Sequence, residues 1–309
     1  MGTTSVEDPL RTRYVTSLLT GALCVMLTTS ACSTSDGTDT TEPAAATSRD
    51  TGIHLPDKVR QAGVLRVAAN FNYAPKQYLD KNHKPAGLEV DLAKAVADKL
   101  GVDIEFHQIA GGVENTLSPV STHEYDFSIG VFNYTPEHRE MIDVMAWVAS
   151  PLALKVRTGN PADVDPKDLC GVTFGYPPST IQAEILDTIS EKCKAAGKPG
   201  LKKVSDFDSP NEALVAGKVD ALFGDASVAK YYAKKYVGKI ELVPGKVPEA
   251  QPKPTGWAFP DKSTKLERAV AQAIDELAAD GTWQKILSSA GLEDEAVLPV
   301  TVDGKPLRK

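Results

Sequence analysis

Hydrophobic positions in the first part of the chain switch between two repeating patterns. The apolar run VLRVAA, residues 64–69, is typical of a buried strand. In LEVDLAKAVADKLG the apolar residues recur at helical spacing, and Gly101 stands where a helix ends. VDIEFHQI, residues 102–109, then alternates as another strand. Strand, helix and strand in this order predict a parallel sheet with crossover helices.

The pattern restarts after residue 150 and predicts a second βα series with its own turns. Its segments are PLALKV, IQAEILDTISEKC, KKVSDF, SPNEALVAGK, VDALFG and ASVAKYYAKKY. The strand TGWAFP and the longest helical pattern, STKLERAVAQAIDELAADGTWQKIL, follow it. Thr264 and Glu267 have the spacing of a capping box at the start of that helix, and Gly281 is predicted to break it.

Residues 1–31 have the pattern of a secretory signal. Arg11 and Arg13 precede a mostly apolar run that ends in small residues. The sequence TTSAC resembles the lipobox of bacterial lipoproteins, although Thr29 stands where that motif usually has Leu. This predicts cleavage before Cys32 and attachment of a lipid to it. The alternative is an uncleaved anchor with an incidental cysteine.

Residues 32–56 consist mainly of Ser, Thr, Ala, Gly and acidic residues without apolar periodicity, which predicts a disordered tether. A lipid on Cys32 behind such a tether would hold a soluble body at the outer face of the cell membrane. One acyl chain anchors weakly, so a diacylated cysteine is the physically sensible form.

Charge narrows the class of partner. The formal net charge is -7, and the charged residues within 1–31 sum to zero, so the mature body carries the whole acidic excess. An acidic body without a Lys/Arg run argues against nucleic acid and against electrostatic adhesion to membranes.

The cysteines predict one disulfide and no metal site. Of the four, Cys24 and Cys32 belong to the leader, which leaves Cys170 and Cys193, 23 positions apart. In an oxidising compartment this pair favours a disulfide, which would stabilise the fold by about 3 kcal/mol. Two free buried thiols are the alternative. No C-x-x-C or H-x-x-x-H spacing occurs, so no zinc site is predicted.

Enzyme motifs are missing from the sequence. It contains no G-x-S-x-G, no P-loop and no G-x-G-x-x-G, and its five histidines are scattered. These observations favour a binding protein without a cofactor over a hydrolase or dehydrogenase.

Four blocks in order carry a resemblance to a known family. They are VLRVAANFNYAPKQYLDKNHKPAGLEVDLAKAVADKLGVDIEF, EYDFSIGVFNYTPEHREMIDV, GKVDALFGDASVAKYYAKK and LAADGTWQKIL. Together they resemble the bacterial extracellular solute-binding proteins of family 3, which deliver polar amino acids and related small molecules to ABC importers. The resemblance implies an extracytoplasmic receptor that captures such a solute by hinge closure and is recognised by ABC permease subunits. We expect a monomer.

The same resemblance implies an α/β fold with two lobes, the periplasmic-binding-protein-like fold of type II, in which two crossover strands form the hinge. Lobe 1 would comprise residues 57–150 and 247–309, because the chain returns to it. Lobe 2 would comprise residues 151–246, including Cys170 and Cys193.

Several ligand-binding residues follow from the resemblance. Tyr73 matches an aromatic residue that stacks on the ligand, and Asn70 stands where an acid or amide often lies. Asp225 matches the acid that receives the ligand's ammonium group, and Thr180 belongs to a partly kept hydroxyl loop. Alternatively, Tyr73 simply packs and Asp225 caps the helix that starts at Ala226.

The stretch NYTPEHREMIDV departs from the family. Where relatives have Ser/Thr-x-x-Arg, whose arginine holds the ligand's carboxylate, Thr135 is followed by His138, and Arg139 comes one residue late. On a helix opening at Thr135 this slip would rotate the arginine by about 100°. Asn133 also occupies a position where relatives often have a small hydroxyl residue.

Three interpretations remain open for this stretch. The ligand is an amino acid whose carboxylate meets His138 or a displaced Arg139, or it is an amine that needs no such clamp, or His138 is a solvated helix residue.

Two other functions remain as alternatives. Some similar proteins, such as cyclohexadienyl dehydratases, are enzymes on this scaffold, and Glu89, His138 and Asp225 would be the candidate acids and bases. A ligand sensor for a signalling receptor is the second alternative.

Overall fold

The computed structural model describes residues 48–133, 138, 140–149, 151–178, 180–205, 209–292 and 295–307. The predicted signal, Cys32 and most of the predicted tether therefore lie outside the described residues. Thr135 and Arg139 also lie outside them, so the helix predicted to open at Thr135 stays a prediction. His138 is described, and it lies in a turn that leads into a strand.

Eight α-helices occur in the described part of the chain. They are α1 Asp57–Ala62, α2 Leu88–Leu100, α3 Val113–Ser121, α4 Ile181–Ala195, α5 Pro210–Val215, α6 Ala226–Lys235, α7 Thr264–Ala279 and α8 Thr282–Ser289. Among the described residues, no helix combines the length and the apolar character needed to cross a membrane.

Fifteen strands accompany the helices in the same residues. They are β1 Val64–Ala69, β2 Asn72–Tyr73, β3 Gln77–Leu79, β4 Pro85–Ala86, β5 Asp103–Gln108, β6 Phe127–Phe132, β7 Ile142–Val148, β8 Leu152–Arg157, β9 Thr173–Gly175, β10 Lys202–Val204, β11 Ala221–Asp225, β12 Ile240–Val243, β13 Thr255–Pro260, β14 Ala296–Val302 and β15 Lys305–Pro306. They form sheets of seven, five and three strands.

The seven-stranded sheet has the order β15-β14-β7-β13-β6-β1-β5. Strand β1 pairs in parallel with β5 and β6, as the alternation of strands and helices predicts. Strand β13 pairs antiparallel with β6 and β7, and β14 pairs antiparallel with β7. The sheet is therefore mixed rather than parallel throughout, because the chain returns to it near its end.

The five-stranded sheet has the order β10-β9-β11-β8-β12 and is formed by the second βα series. Strands β10, β9 and β11 run parallel, whereas β8 is antiparallel to β11 and β12. The disulfide between Cys170 and Cys193 joins the segment before β9 to the last turns of α4, which confirms the predicted pair. Strands β2, β3 and β4 form the small antiparallel sheet.

Each large sheet has its own hydrophobic core. Trp147, Trp257 and Trp283 are fully buried in the core of the seven-stranded sheet and lie against one another. Phe174 and Phe223 stack in the core of the five-stranded sheet, with ring centroids 5.2 Å apart. Burial of aromatic side chains on this scale is a main source of stability in both sheets.

The chain contacts the body earlier than the composition of its first part suggests. The backbone N–H of Arg49 donates to the carbonyl of Gly101, and Ile53 is buried in the first core. The segment before α1 therefore includes residues fixed by a backbone hydrogen bond and an apolar contact.

The predicted capping box at Thr264 is wrong. Ser263 is the residue before the first turn of α7, and no side-chain capping hydrogen bond is present. Glu267 is instead buried, and this burial together with Asp143 raises its pKa to about 8. The predicted break at Gly281 is confirmed, since α7 ends just before it and α8 begins just after it.

Candidate functional site

A cavity of about 670 Å³ is lined by residues from both large sheets and their loops. Six of the residues predicted to bind ligand line it, namely Asn70, Tyr73, Asn133, His138, Thr180 and Asp225. The seventh, Arg139, lies outside the described residues. The structure therefore brings together residues that are up to 155 positions apart in the chain.

Asp225 is the one acid among the described residues that line the cavity. It ends β11 and precedes the first turn of α6, but its side chain makes no capping hydrogen bond. Its Oδ2 instead accepts hydrogen bonds from the hydroxyl of Tyr73 at 3.0 Å and from Nζ of Lys76 at 3.1 Å. The cap alone does not account for this acid, because its contacts reach β2 of the small sheet and the turn that follows it.

Lys76 is a cation that the sequence interpretation missed. Its side chain is 1% exposed, and its salt bridge to Asp225 joins the turn between β2 and β3 of the small sheet to a strand of the five-stranded sheet. The start of α2 holds this loop, because the backbone N–H of Glu89 donates to the carbonyl of Lys76 at 2.8 Å. Gly87 allows the approach, since a Cβ there would lie 2.5 Å from the same oxygen.

Tyr73 is positioned by the same loop. It ends β2, and its hydroxyl donates to Asp225. Burial and then the charge of Asp225 raise the pKa of the phenol well above its usual value. The hydroxyl therefore stays a neutral donor, and the packing role alone does not describe this residue.

Glu89 lies behind Lys76 rather than on the cavity wall. It is fully buried in the first turn of α2, and its Oε2 accepts a hydrogen bond of 2.5 Å from Nε1 of Trp257. Burial raises its pKa to about 7, although the charge of Lys76 acts in the opposite direction. Glu89 is absent from the residues that line the cavity.

Lys155 is a second buried cation, and it does line the cavity. It lies in β8, its Nζ is 2.6 Å from Oδ1 of Asn211, and the ring centroid of Tyr232 is 5.4 Å away. Burial lowers its pKa to about 8, and the charge of Asp225 partly offsets this. A lysine inside the apolar run PLALKV was the signal in the sequence, because buried lysines are rare without a partner.

His138 lies at another part of the cavity wall and is not a solvated residue. It is 2% exposed, and its Nε2 is 2.8 Å from Oε1 of Glu114 in α3. The side chain of Glu114 is 52% exposed, so this pair reaches solvent through its acidic member. The histidine thus has a carboxylate partner within the protein, which the sequence did not predict.

The remaining predicted residues make local hydrogen bonds. Nδ2 of Asn70 donates to the carbonyl of Gly111 at 2.7 Å, and Oγ1 of Thr180 donates to the carbonyl of Pro177 at 2.7 Å. Oδ1 of Asn133 is buried and has no hydrogen-bond partner among the described residues. Asn133 therefore keeps an acceptor at the cavity that is not used within the described part of the chain.

The polar side chains of the cavity indicate the kind of molecule that it can bind. No group of three or more His, Cys, Asp or Glu side chains suited to a metal ion occurs among the residues that the structure describes. The side chains that meet in the cavity are instead an acid, lysines, a histidine, amides and hydroxyls. Such a set can bind a small polar molecule that carries both charged and neutral groups.

Comparison with known proteins gives a family and a fold. The model of the bacterial extracellular solute-binding proteins, family 3, matches residues 65–291. The chain is 28% identical over 256 residues to an arginine-binding protein of Corynebacterium glutamicum, covering 82% of each chain. A solved structure of an ancestral arginine-binding protein bound to glutamine is 27% identical with a TM-score of 0.63, covering 74% of this chain and 98% of that one.

One relative is an enzyme. The chain is 24% identical over 234 residues to a membrane-bound lytic murein transglycosylase F of Desulfosudis oleivorans. The match covers 74% of this chain and 49% of the enzyme, so it spans about half of that protein.

Proposed function

The chain belongs to the bacterial extracellular solute-binding proteins, family 3, and from this membership we propose that it captures a free amino acid and delivers it to an ABC importer. The observation that carries the proposal is the contact of Tyr73 and Lys76 with Asp225 across a cavity of about 670 Å³. A cavity of this size holds an amino acid with room for ordered water. The arginine-binding names of two similar proteins support an amino acid as the ligand class.

We propose that the two large sheets belong to two lobes that close around the ligand. Strands β1, β5, β6, β7, β13, β14 and β15 fall within residues 57–150 and 247–309, whereas β8 to β12 fall within residues 151–246. The chain passes between these ranges near residues 150 and 247, which are the proposed hinge segments. Tyr73 and Asp225 are in contact across these two ranges, so they would both face the ligand in the closed form, which a permease would recognise.

In this proposal Asp225 receives the ligand's ammonium group. Both described hydrogen bonds to its carboxylate end on Oδ2, and its side chain keeps 11% exposure, so Oδ1 can accept from a ligand. A buried acid in such a position favours a cationic group of the ligand.

The ligand's carboxylate would lie near the start of α4 and near His138. Ile181 and Gln182, the first residues of α4, line the cavity, and their backbone N–H groups lie at the positive end of a helix dipole. Arg139 stays a proposed contact from outside the described residues.

We infer that the site binds without chemical turnover. An enzyme on this scaffold needs an acid and a base that face the substrate. Asp225 is paired with Lys76, His138 lies against Glu114, and Glu89 does not line the cavity. The three candidate acids and bases are therefore either paired within the protein or placed behind the wall.

We propose further that the protein is a lipoprotein on the outer face of the cell membrane and acts as a monomer. The secretory signal predicted over residues 1–31, the lipobox-like sequence before Cys32 and the predicted tether support this location, together with the extracellular character of the family. Mass spectrometry of the mature N-terminus tests it, since an unmodified Cys32 or an uncleaved leader would contradict the proposal.

Isothermal titration calorimetry of the purified chain with the standard amino acids tests the receptor function. We expect saturable binding of at least one amino acid, with the ligand recovered unchanged by mass spectrometry. Asp225→Asn should weaken binding by at least about tenfold, because a charge-assisted hydrogen bond is lost. Asp187→Asn is the matched control. Asp187 also pairs with a lysine, Lys203, and lies within residues 151–246 like Asp225, but it is exposed at the surface. Steady consumption of the ligand would make the enzyme function the better description.

A further inference from the structure

The described residues that line the cavity carry more groups of positive than of negative charge. Among the described residues that line it, Asp225 is the one acid, whereas Lys155, Lys253 and His138 can carry positive charge. Lys253 is about half exposed and lies 3.9 Å from Glu184, so solvent screens it. Lys155 is buried, and its charge is the one that a ligand in the cavity would experience most strongly.

The single acid is already shared between two lysines. Asp225 forms a salt bridge with Lys76 and also favours the charged form of Lys155. Glu89 acts on Lys76 from the side of the core, and burial raises the pKa of its carboxyl to about 7. Asp225 is therefore the one acid among the described lining residues that acts on both lysines, and its salt bridge is with Lys76 rather than with Lys155.

The immediate surroundings of Lys155 supply few acceptors. An ammonium has three N–H groups, and the described contacts give Nζ one oxygen, Oδ1 of Asn211, besides the face of Tyr232. No carboxylate of a described residue lies within salt-bridge distance of it. A buried ammonium in this condition is stabilised by any anion that reaches it.

We propose that the ligand carries a carboxylate in its side chain, as acidic amino acids do, and that Lys155 binds this group. The inference rests on the proposed function and names the substrate class of the same cavity. Asp225 would take the ligand's ammonium group, and Lys155 would select the side chain.

The same arrangement rejects a cationic side chain. A guanidinium or second ammonium group in the cavity would meet Lys155 without a further acid among the described lining residues. Asp225 cannot serve both cationic groups of such a ligand, because its Oδ2 is already bonded to Tyr73 and Lys76. This selectivity would separate the chain from its arginine-binding relatives, which it resembles in fold.

Isosteric pairs of ligands test the proposal directly. The purified chain is titrated with L-glutamate and L-glutamine, L-aspartate and L-asparagine, and L-arginine. Each acid should bind roughly 10- to 100-fold more tightly than its amide, because the charged member gains a charge-assisted hydrogen bond. Equal affinity for acid and amide, or tightest binding of L-arginine, would overturn the inference and leave the receptor function standing.

Two further results of these titrations distinguish a failure of this inference from a failure of the proposed function. If no amino acid binds, both fail. If glutarate, which lacks the ammonium group, binds as tightly as L-glutamate, the role of Asp225 in the proposed function fails and the role of Lys155 is supported.

Variants show whether Lys155 carries the preference. Lys155→Gln, which keeps a donor for Asn211, should lower the ratio of glutamate to glutamine affinity to about one. Lys202→Met is the matched control, because this lysine is exposed on β10 of the same sheet, and it should keep the wild-type ratio. An unchanged ratio in Lys155→Gln contradicts the proposal.

The pH dependence of this preference provides a second readout. The groups that face Lys155 are Asp225 from β11, Tyr232 from α6 and the uncharged Asn211 from α5. With its pKa of about 8, Lys155 in the free protein loses its proton as pH rises from 7 to 9, so the preference for glutamate over glutamine should fall in that range. Comparison with the pH slope of Lys155→Gln removes the contribution of the ligands' own ammonium groups, which is the same for both proteins. A flat ratio in the wild type, or the same slope in Lys155→Gln, would overturn the assignment.

Discussion

The Asp225 end and the His138 end of the cavity each hold a pair of side chains in contact within the protein, but the two pairs differ in burial. At the Asp225 end both partners are nearly inaccessible, with side chains 1% and 11% exposed. At the His138 end the histidine is buried and Glu114 is half exposed. The comparison indicates that the first pair is part of the folded core and that the second is partly a surface feature, since exposed ion pairs contribute little.

Removal of the buried cation should have the largest effect. Lys76→Met leaves Asp225 without its salt bridge and Glu89 without the nearby charge, so we expect the free energy of unfolding to fall by about 3–5 kcal/mol. Urea denaturation followed by circular dichroism measures it. Lys99→Met is the matched control, because the Lys99–Asp280 pair lies at the surface and its removal should cost much less. Equal losses in the two variants would remove the distinction between buried and exposed pairs.

The carboxylate behind Lys76 should give the next largest effect, as a dependence on pH. The pKa of Glu89 is about 7 in the folded protein and 4.5 without the fold's influence, so the folded state holds its proton more tightly. Stability therefore falls as pH rises between these values, by roughly 3 kcal/mol from this group. Between pH 5 and pH 8, the free energy of unfolding of Glu89→Gln should therefore rise relative to that of the wild type by up to this amount.

Urea denaturation at several pH values tests this expectation. Glu267→Gln serves as a control for a second buried acid. The pKa of Glu267 is about 8, and its causes do not include Lys76, so this acid adds a separate fall of stability with rising pH. If wild type and Glu89→Gln follow parallel curves, Glu89 does not titrate in this range.

The smallest effect is expected at the His138 end. Glu114→Gln removes a charge that is half exposed, so the free energy of unfolding should change by less than about 1 kcal/mol. The same denaturation experiment measures it beside Lys76→Met. A loss as large as that of Lys76→Met would mean that the His138 end is as much a part of the core as the Asp225 end.

The fold was predictable where a pattern of apolar positions is local. Helix α2 and strand β1 follow directly from the spacing of their apolar residues. Strand β7 carried no prediction, and its sequence IDVMAWV gives no sign of its partners. One of those partners is β14, about 150 positions further along the chain, which the pattern near β7 cannot reveal.

The site was predictable as a set of residues and not as a set of contacts. Asp225 and Tyr73 were assigned from family motifs, and both line the cavity. Their connection through Lys76 was missed, because the partner of a buried acid is chosen by the packing of two sheets and not by neighbouring sequence. Lys155 was missed for the same reason, although a lysine within an apolar strand pointed to a buried cation.

The tryptophans provide an optical probe of one side of the molecule. All three of the chain's tryptophans lie in contact within the core of the seven-stranded sheet. The indole N–H of Trp257 donates to Glu89, which lies beside the lysine that reaches Asp225. Intrinsic fluorescence should therefore report events at the cavity through a single hydrogen bond while remaining insensitive to the interior of the five-stranded sheet. Ligand titrations of the unlabelled protein can be followed in this way without an introduced dye.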